Sequence, residues 1–178
     1  LDRVLIKNVT GTFRGLGFIV TPWMEGEGGN YGSIVFDTID LRCDRKQYDP
    51  APMLFRIGGN IDSLTVRNLH YHGSLAHDLM QIGGSYTGDG PAGPSMPSRI
   101  KHLILEDIYV HNDGNVHDYV RLRGFVEDLF VRNVQLLGCR PGSRFLVRES
   151  PAGGAGRLRM EGFLSDGAGP GDAAVRQP

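Results

Sequence analysis

One six-residue pattern recurs six times along the 178-residue chain and constrains its fold more than any other feature. Two apolar residues flank one variable position; any residue, a small or polar residue and a further apolar one follow. The copies are V-L-I-K-N-V at Val4–Val9, I-V-F-D-T-I at Ile34–Ile39 and L-T-V-R-N-L at Leu64–Leu69. They continue as L-I-L-E-D-I at Leu103–Ile108, L-F-V-R-N-V at Leu129–Val134 and L-R-M-E-G-F at Leu158–Phe163. Their starts are 30, 30, 39, 26 and 29 residues apart. Period-two alternation makes each copy a strand with one buried face. The fifth position holds Asn8, Thr38, Asn68, Asp107, Asn133 and Gly162, mostly types that tolerate a bend. A second short strand then starts around the corner.

A third strand follows each copy after a looser connection, at Gly17–Thr21, Leu54–Gly58, Leu79–Gly83, Tyr119–Arg123, Arg144–Arg148 and Asp172–Arg176. No helical periodicity competes with it. Short strands recurring as a unit are one coil of a solenoid, and parallel strands a coil apart are joined by right-handed crossovers in nearly all folds. The expected fold is all-β: a right-handed, single-stranded parallel β-helix of six coils. A β-sandwich also uses short strands and glycine-rich turns, but it requires hairpins rather than a repeating unit with its bend in one fixed place. The β-helix domain is expected over residues 1–165, with a fading last coil or tail over 166–178.

The words I-D-S-L-T-V-R-N-L-H-Y at Ile61–Tyr71 and V-E-D-L-F-V-R-N-V-Q-L at Val126–Leu136 resemble coils of the pectate-lyase superfamily, which includes polygalacturonase-like hydrolases and phage tailspikes. The resemblance implies a parallel β-helix whose third-strand face, with its flanking loops, forms a polysaccharide groove. The paired-Asp and Gly-His-Gly motifs of the polygalacturonases are absent here, as is an Arg-x-Lys motif on the third strand.

A formal net charge of −1 argues against a chain-wide nucleic-acid or membrane-surface binder. No stretch of about 18 apolar residues is present, so no membrane-spanning helix is expected. Two connections are longer than a coil requires: Pro22–Gly32, with Trp23, and Gly83–Ser98, with Tyr86. Long excursions from a rigid scaffold often carry binding surfaces; Trp23 and Tyr31 could stack on sugar rings, an aromatic covering the core edge being the plainer reading, and Tyr86 is a further candidate substrate-binding residue. Cys43 and Cys139 lie three coils apart, about 14 Å at strand spacing, too far for a disulfide. Val4 and Ile6 open the chain without a polar cap, so further N-terminal coils, another domain or a homo-oligomer such as a trimer is expected to cover that end.

Aligning the third strands on Val20, Ile57, Ile82, Leu122, Val147 and Val175 predicts two outward columns. One reads Ile19, Arg56, Gln81, Arg121, Leu146, Ala174; the other reads Thr21, Gly58, Gly83, Arg123, Arg148, Arg176. The guanidinium fork suits carboxylate and sulfate, so Arg56, Gln81 and Arg148 are candidate binders of an acidic polysaccharide. The alternative is a solvated stack paired with carboxylates such as Glu149. Just before this strand, His77-Asp78 and His117-Asp118 occupy equivalent places in adjacent coils. Stacked, their carboxylates and imidazoles would lie within ~5–7 Å, suiting Ca2+ or proton transfer. The plainer reading is a turn with Asp bonded to backbone amides.

Two functions follow. The first is a secreted or virion-borne protein that binds an acidic polysaccharide and, if it is a polysaccharide lyase or glycoside hydrolase, favours lyase chemistry. Arg121 or Arg123 would abstract the proton beside a uronate, with Asp78 and Asp118 holding calcium. The second is a non-catalytic structural solenoid, such as a tail-fibre segment.

Overall fold

The computed structural model describes residues 1–20, 30–44, 53–73, 78–83, 98–112, 118–149 and 153–172. Each repeat copy lies in a long strand: β1 (Arg3–Phe13), β3 (Asn30–Cys43), β5 (Asn60–Gly73), β7 (Arg99–Asn112), β9 (Phe125–Leu137) and β11 (Gly154–Ser165). Between them lie the short strands β2 (Leu16–Val20), β4 (Met53–Ile57), β6 (Met80–Ile82), β8 (Asp118–Leu122), β10 (Ser143–Arg148) and β12 (Ala168–Asp172). The long strands form one six-stranded parallel sheet, in order β1-β3-β5-β7-β9-β11, and the short strands a second, in order β12-β10-β8-β6-β4-β2. The chain is a parallel β-solenoid of six coils.

The two inward ladders hold in full. Val4, Ile34, Leu64, Leu103, Leu129 and Leu158 pair in register, as do Ile6, Phe36, Val66, Leu105, Val131 and Met160. Packed against them from the short-strand sheet are Phe55, Met80, Val120 and Leu146. The two arms expected either side of the bend run as a single hydrogen-bonded strand. Its corner is made by one residue in the left-handed region: Asn8 (φ 58°), Thr38 (58°), Asn68 (52°), Asp107 (54°), Asn133 (53°) and Gly162 (64°). Asn, Asp and Gly enter that region most readily. Thr38 is the exception, being β-branched; its hydroxyl donates to Asp37 Oδ1 at 3.0 Å. Asn68 and Asn133 each donate to a carboxylate one coil back, Asp37 (2.9 Å) and Asp107 (2.7 Å), so the bend column also ties coils together.

The position before each bend forms a charge ladder: Lys7, Asp37, Arg67, Glu106, Arg132 and Glu161 are aligned by register and alternate in sign through all six coils. Asp37 is 3.5 Å from Lys7 and 2.9 Å from Arg67, and Arg132 pairs with Glu106.

The last short strand departs from expectation, falling at Ala168–Asp172 rather than Asp172–Arg176; residues 173–178 lie outside the described ones. Ser165 tightens the connection, its hydroxyl accepting the N–H groups of Gly167 (3.2 Å) and Ala168 (2.7 Å). Asp166 meanwhile accepts the N–H groups of Gly138 (2.7 Å) and Cys139 (2.9 Å) in the preceding coil. With the turn closed this early, Val147 pairs with Asp172 instead of Val175. Both cysteines are free thiols, as their separation requires.

Candidate functional site

The outer face of the short-strand sheet brings most of the described candidates together. Ile19, Arg56, Gln81 and Arg121 stack in one column as the alignment predicts. One coil further on the register differs. Val147, not Leu146, stands beside Arg121, and Arg148 pairs with Leu122 rather than following Arg123. Phe145, Leu146 and Val147 are three apolar residues in a row, so alternation alone does not say which of them points inward. The fold places Phe145 and Leu146 in the core. Arg148 consequently ends the inward column as an exposed side chain at the strand's edge, and Glu149 arrives beside Arg123, its N–H donating to Leu122 O at 3.1 Å.

The result is an ionic cluster spanning three coils, centred on Arg121. Its Nη2 lies 2.9 Å from Asp78 Oδ1 and 3.6 Å from Asp118 Oδ2, and its Nη1 donates to Glu149 Oε1 at 3.1 Å. Arg123 donates to both oxygens of Glu149, with Nη2 at 3.0 Å and Nε on the other oxygen. Arg144, stacked on Asp118 by register, forks onto its carboxylate at 3.0 and 3.2 Å. Gln81 is buried and donates from Nε2 to Gly83 O at 2.9 Å, which commits its amide to the turn.

Asp78 is the unusual member. Only 2% of it is exposed. Burial pushes its carboxyl up to about 6; Arg121 pulls the other way, and the negative charges of Glu149 and Asp118 add to the rise. Burial also raises Glu149, but hydrogen bonds and charge from Arg123 and Arg121 outweigh it and hold that carboxyl below its ordinary value. Asp78 Oδ1 and Arg121 Nε are both buried without a hydrogen-bond partner among the described residues; the ion pair between the two side chains is made by Arg121 Nη2. A buried polar atom left unpaired costs about 1–3 kcal/mol.

The expected pairing of Asp78 with Asp118 across coils is present, but it encloses a guanidinium where the sequence reading places calcium. Among the described residues no group of three or more His, Cys, Asp or Glu is arranged to hold a metal ion, and no step below runs through calcium. Guanidinium stays protonated across the ordinary pH range, and Arg121 and Arg123 are both engaged by carboxylates, so they act as fixed positive charges. Within this cluster Asp78 is the carboxyl that burial raises toward neutrality. Trp23, Tyr86, His77 and His117 lie outside the described residues. Arg144 was not among the sequence candidates; its signal was a position matched to Asp118 one coil earlier. Set beside family models, curated proteins and solved structures, the chain matches none of them.

Proposed function

We propose that this solenoid binds an acidic polysaccharide across the outer face of β4, β6, β8 and β10. The observation that supports the reading best is the cluster around Arg121, with its buried, partly unsatisfied Asp78. A scaffold needing only rigidity gains nothing from a carboxyl whose burial raises it to about 6. On and beside this face lie Arg56, Arg121, Arg123, Arg144 and Arg148, whose guanidinium forks suit carboxylate ligands. A uronate carboxylate would compete with Glu149 for the forks of Arg121 and Arg123. The resemblance to pectate-lyase-superfamily coils points to the same face.

Should the chain cleave its ligand by elimination beside the uronate carboxylate, Asp78, buried behind Arg121, would act by holding that guanidinium in position. The arginines would neutralise that carboxylate as solvent takes the neighbouring proton, the sugar double bond forms and the glycosidic C–O bond breaks; the leaving oxygen takes up a proton from water. Calorimetric titration with polygalacturonate, alginate and hyaluronan oligomers, alongside ultraviolet detection of unsaturated products, tests both parts. We expect binding that weakens with salt and falls about tenfold or more in an Arg121→Gln, Arg123→Gln double variant. Absence of binding to all three glycans, or equal binding by the variant, would remove this reading. The charge ladder favours the second reading, a structural solenoid, which predicts an inert and stable assembly in the same assays.

A further inference from the structure

Each end of the solenoid presents edge strands, β1 and β2 at the first coil and β11 and β12 at the last. An edge of this kind is a template for a further strand. The inward ladders are open there too. Val4, Ile6 and Val9 at one end and Leu158, Met160 and Phe163 at the other are only partly buried, whereas their counterparts in the four coils between are buried. Leu5 and Leu164 are exposed.

The two ends differ in sign. Alternation through six coils starts the charge ladder on Lys7 and finishes it on Glu161, so one end offers a cation and the other an anion at the same register position.

We propose that copies of this chain stack end to end, β1 of one lying parallel to β11 of the next. Continuing the register by one coil sets Val4 on Leu158, Ile6 on Met160 and Val9 on Phe163. It also sets Lys7 on Glu161, as Arg67 sits on Asp37 at 2.9 Å. Asn8 would stand over Gly162, which has no side chain to obstruct it, with the Glu161 carboxylate placed as Asp37 is for Asn68. On the second sheet Phe18 would face Gly171, a large residue over one without a side chain. One like-charged contact enters, Arg3 beside Arg157, whose guanidinium already donates to Asp128 at 2.7 Å. Because each contact joins two different ends it does not close, and it predicts rods that lengthen along the axis.

This contact uses neither Arg121 nor its partners, so loss of glycan binding and loss of stacking are separate results. Sedimentation and negative-stain microscopy of the full chain test it. Mass should rise with concentration, as rods of constant width, and added salt should shift the rise to higher concentration. Lys7→Glu makes both ends acidic and Glu161→Lys makes both basic, so each alone should need about tenfold more protein to stack. An equimolar mixture of the two should stack again, because every end then meets its opposite. Lys7→Gln, which leaves Asp37 its Arg67 partner, should weaken stacking and remove much of its salt dependence, a readout that does not depend on the reversed variants folding. The inference is overturned by a monomer at every concentration, by a closed dimer or trimer of fixed mass, by single variants that stack as wild type does, or by a mixture of folded variants no better than either alone.

Discussion

Asp78 sits where the requirements of folding and of chemistry diverge. Its folded-state value of about 6 lies above the ordinary aspartate value of 3.8, so the folded protein holds that proton more tightly than the unfolded chain does. Its contribution is therefore most favourable below the ordinary value and is lost as pH rises from about 4 to about 6. At about 1.4 kcal/mol per pH unit the loss amounts to about 3 kcal/mol. Asp78→Asn, which has no proton to lose, should flatten this window: denaturant titrations at pH values either side of it should show the wild type losing stability that the variant keeps. A carbon-detected NMR titration of the Asp78 carboxyl gives the value directly, and Arg121→Gln should raise it, since the guanidinium favours the ionised form.

Among the elements, the long strands are held in register by polar columns as well as by the core. Parallel strands stack equivalent positions about 4.8 Å apart, so a column of one sign would repel itself, and the alternation from Lys7 to Glu161 turns every neighbour into an attraction. Asp37 shows the effect. Hydrogen bonds from Asn68 and Arg67 hold its carboxyl well below the usual carboxylate range, against a smaller opposing effect of burial. A lowered carboxylate stabilises the fold above its ordinary value, and that stabilisation disappears as pH falls below about 4. Arg67→Glu would set three acids in consecutive coils, Asp37, the new side chain and Glu106. We expect a loss of about 1–3 kcal/mol, read by thermal denaturation and reduced by added salt.

At the level of the whole molecule each coil contacts chiefly its neighbours, and a single core runs through all of them. A gap in one coil is therefore felt by the coil on either side. Leu105 is 2% exposed and stands mid-ladder between Val66 and Val131. Leu105→Ala should lower stability by about 2–5 kcal/mol in urea titrations, because a filled and rigid interior relaxes little around the cavity. A smaller loss would mean that the coils collapse around the missing methyl groups.

The repeated hexapeptide by itself determined the coil count, both inward ladders and the bend at Asn8, Thr38, Asn68, Asp107, Asn133 and Gly162, because period-two burial and left-handed backbone are local demands that recur in identical words. The position before the bend reads as unconstrained in the repeat, and its alternation of sign acquires meaning only when register stacks Lys7, Asp37, Arg67, Glu106, Arg132 and Glu161. The partners of Arg121 were not legible either. Asp78, Asp118, Arg144 and Glu149 come from three coils joined by connections of unequal length, and which of them meet depends on how each connection closes. In coil five the run Phe145-Leu146-Val147 leaves the inward face undecided until the core selects Leu146, which moves Arg148 off its expected column and brings Glu149 beside Arg123. In coil six the turn at Ser165 starts the last short strand early. Alternation specifies the face of a strand; the axial neighbours of a side chain are set only when the coils stack, and those neighbours decide which carboxylates Arg121 meets and which carboxyl burial raises.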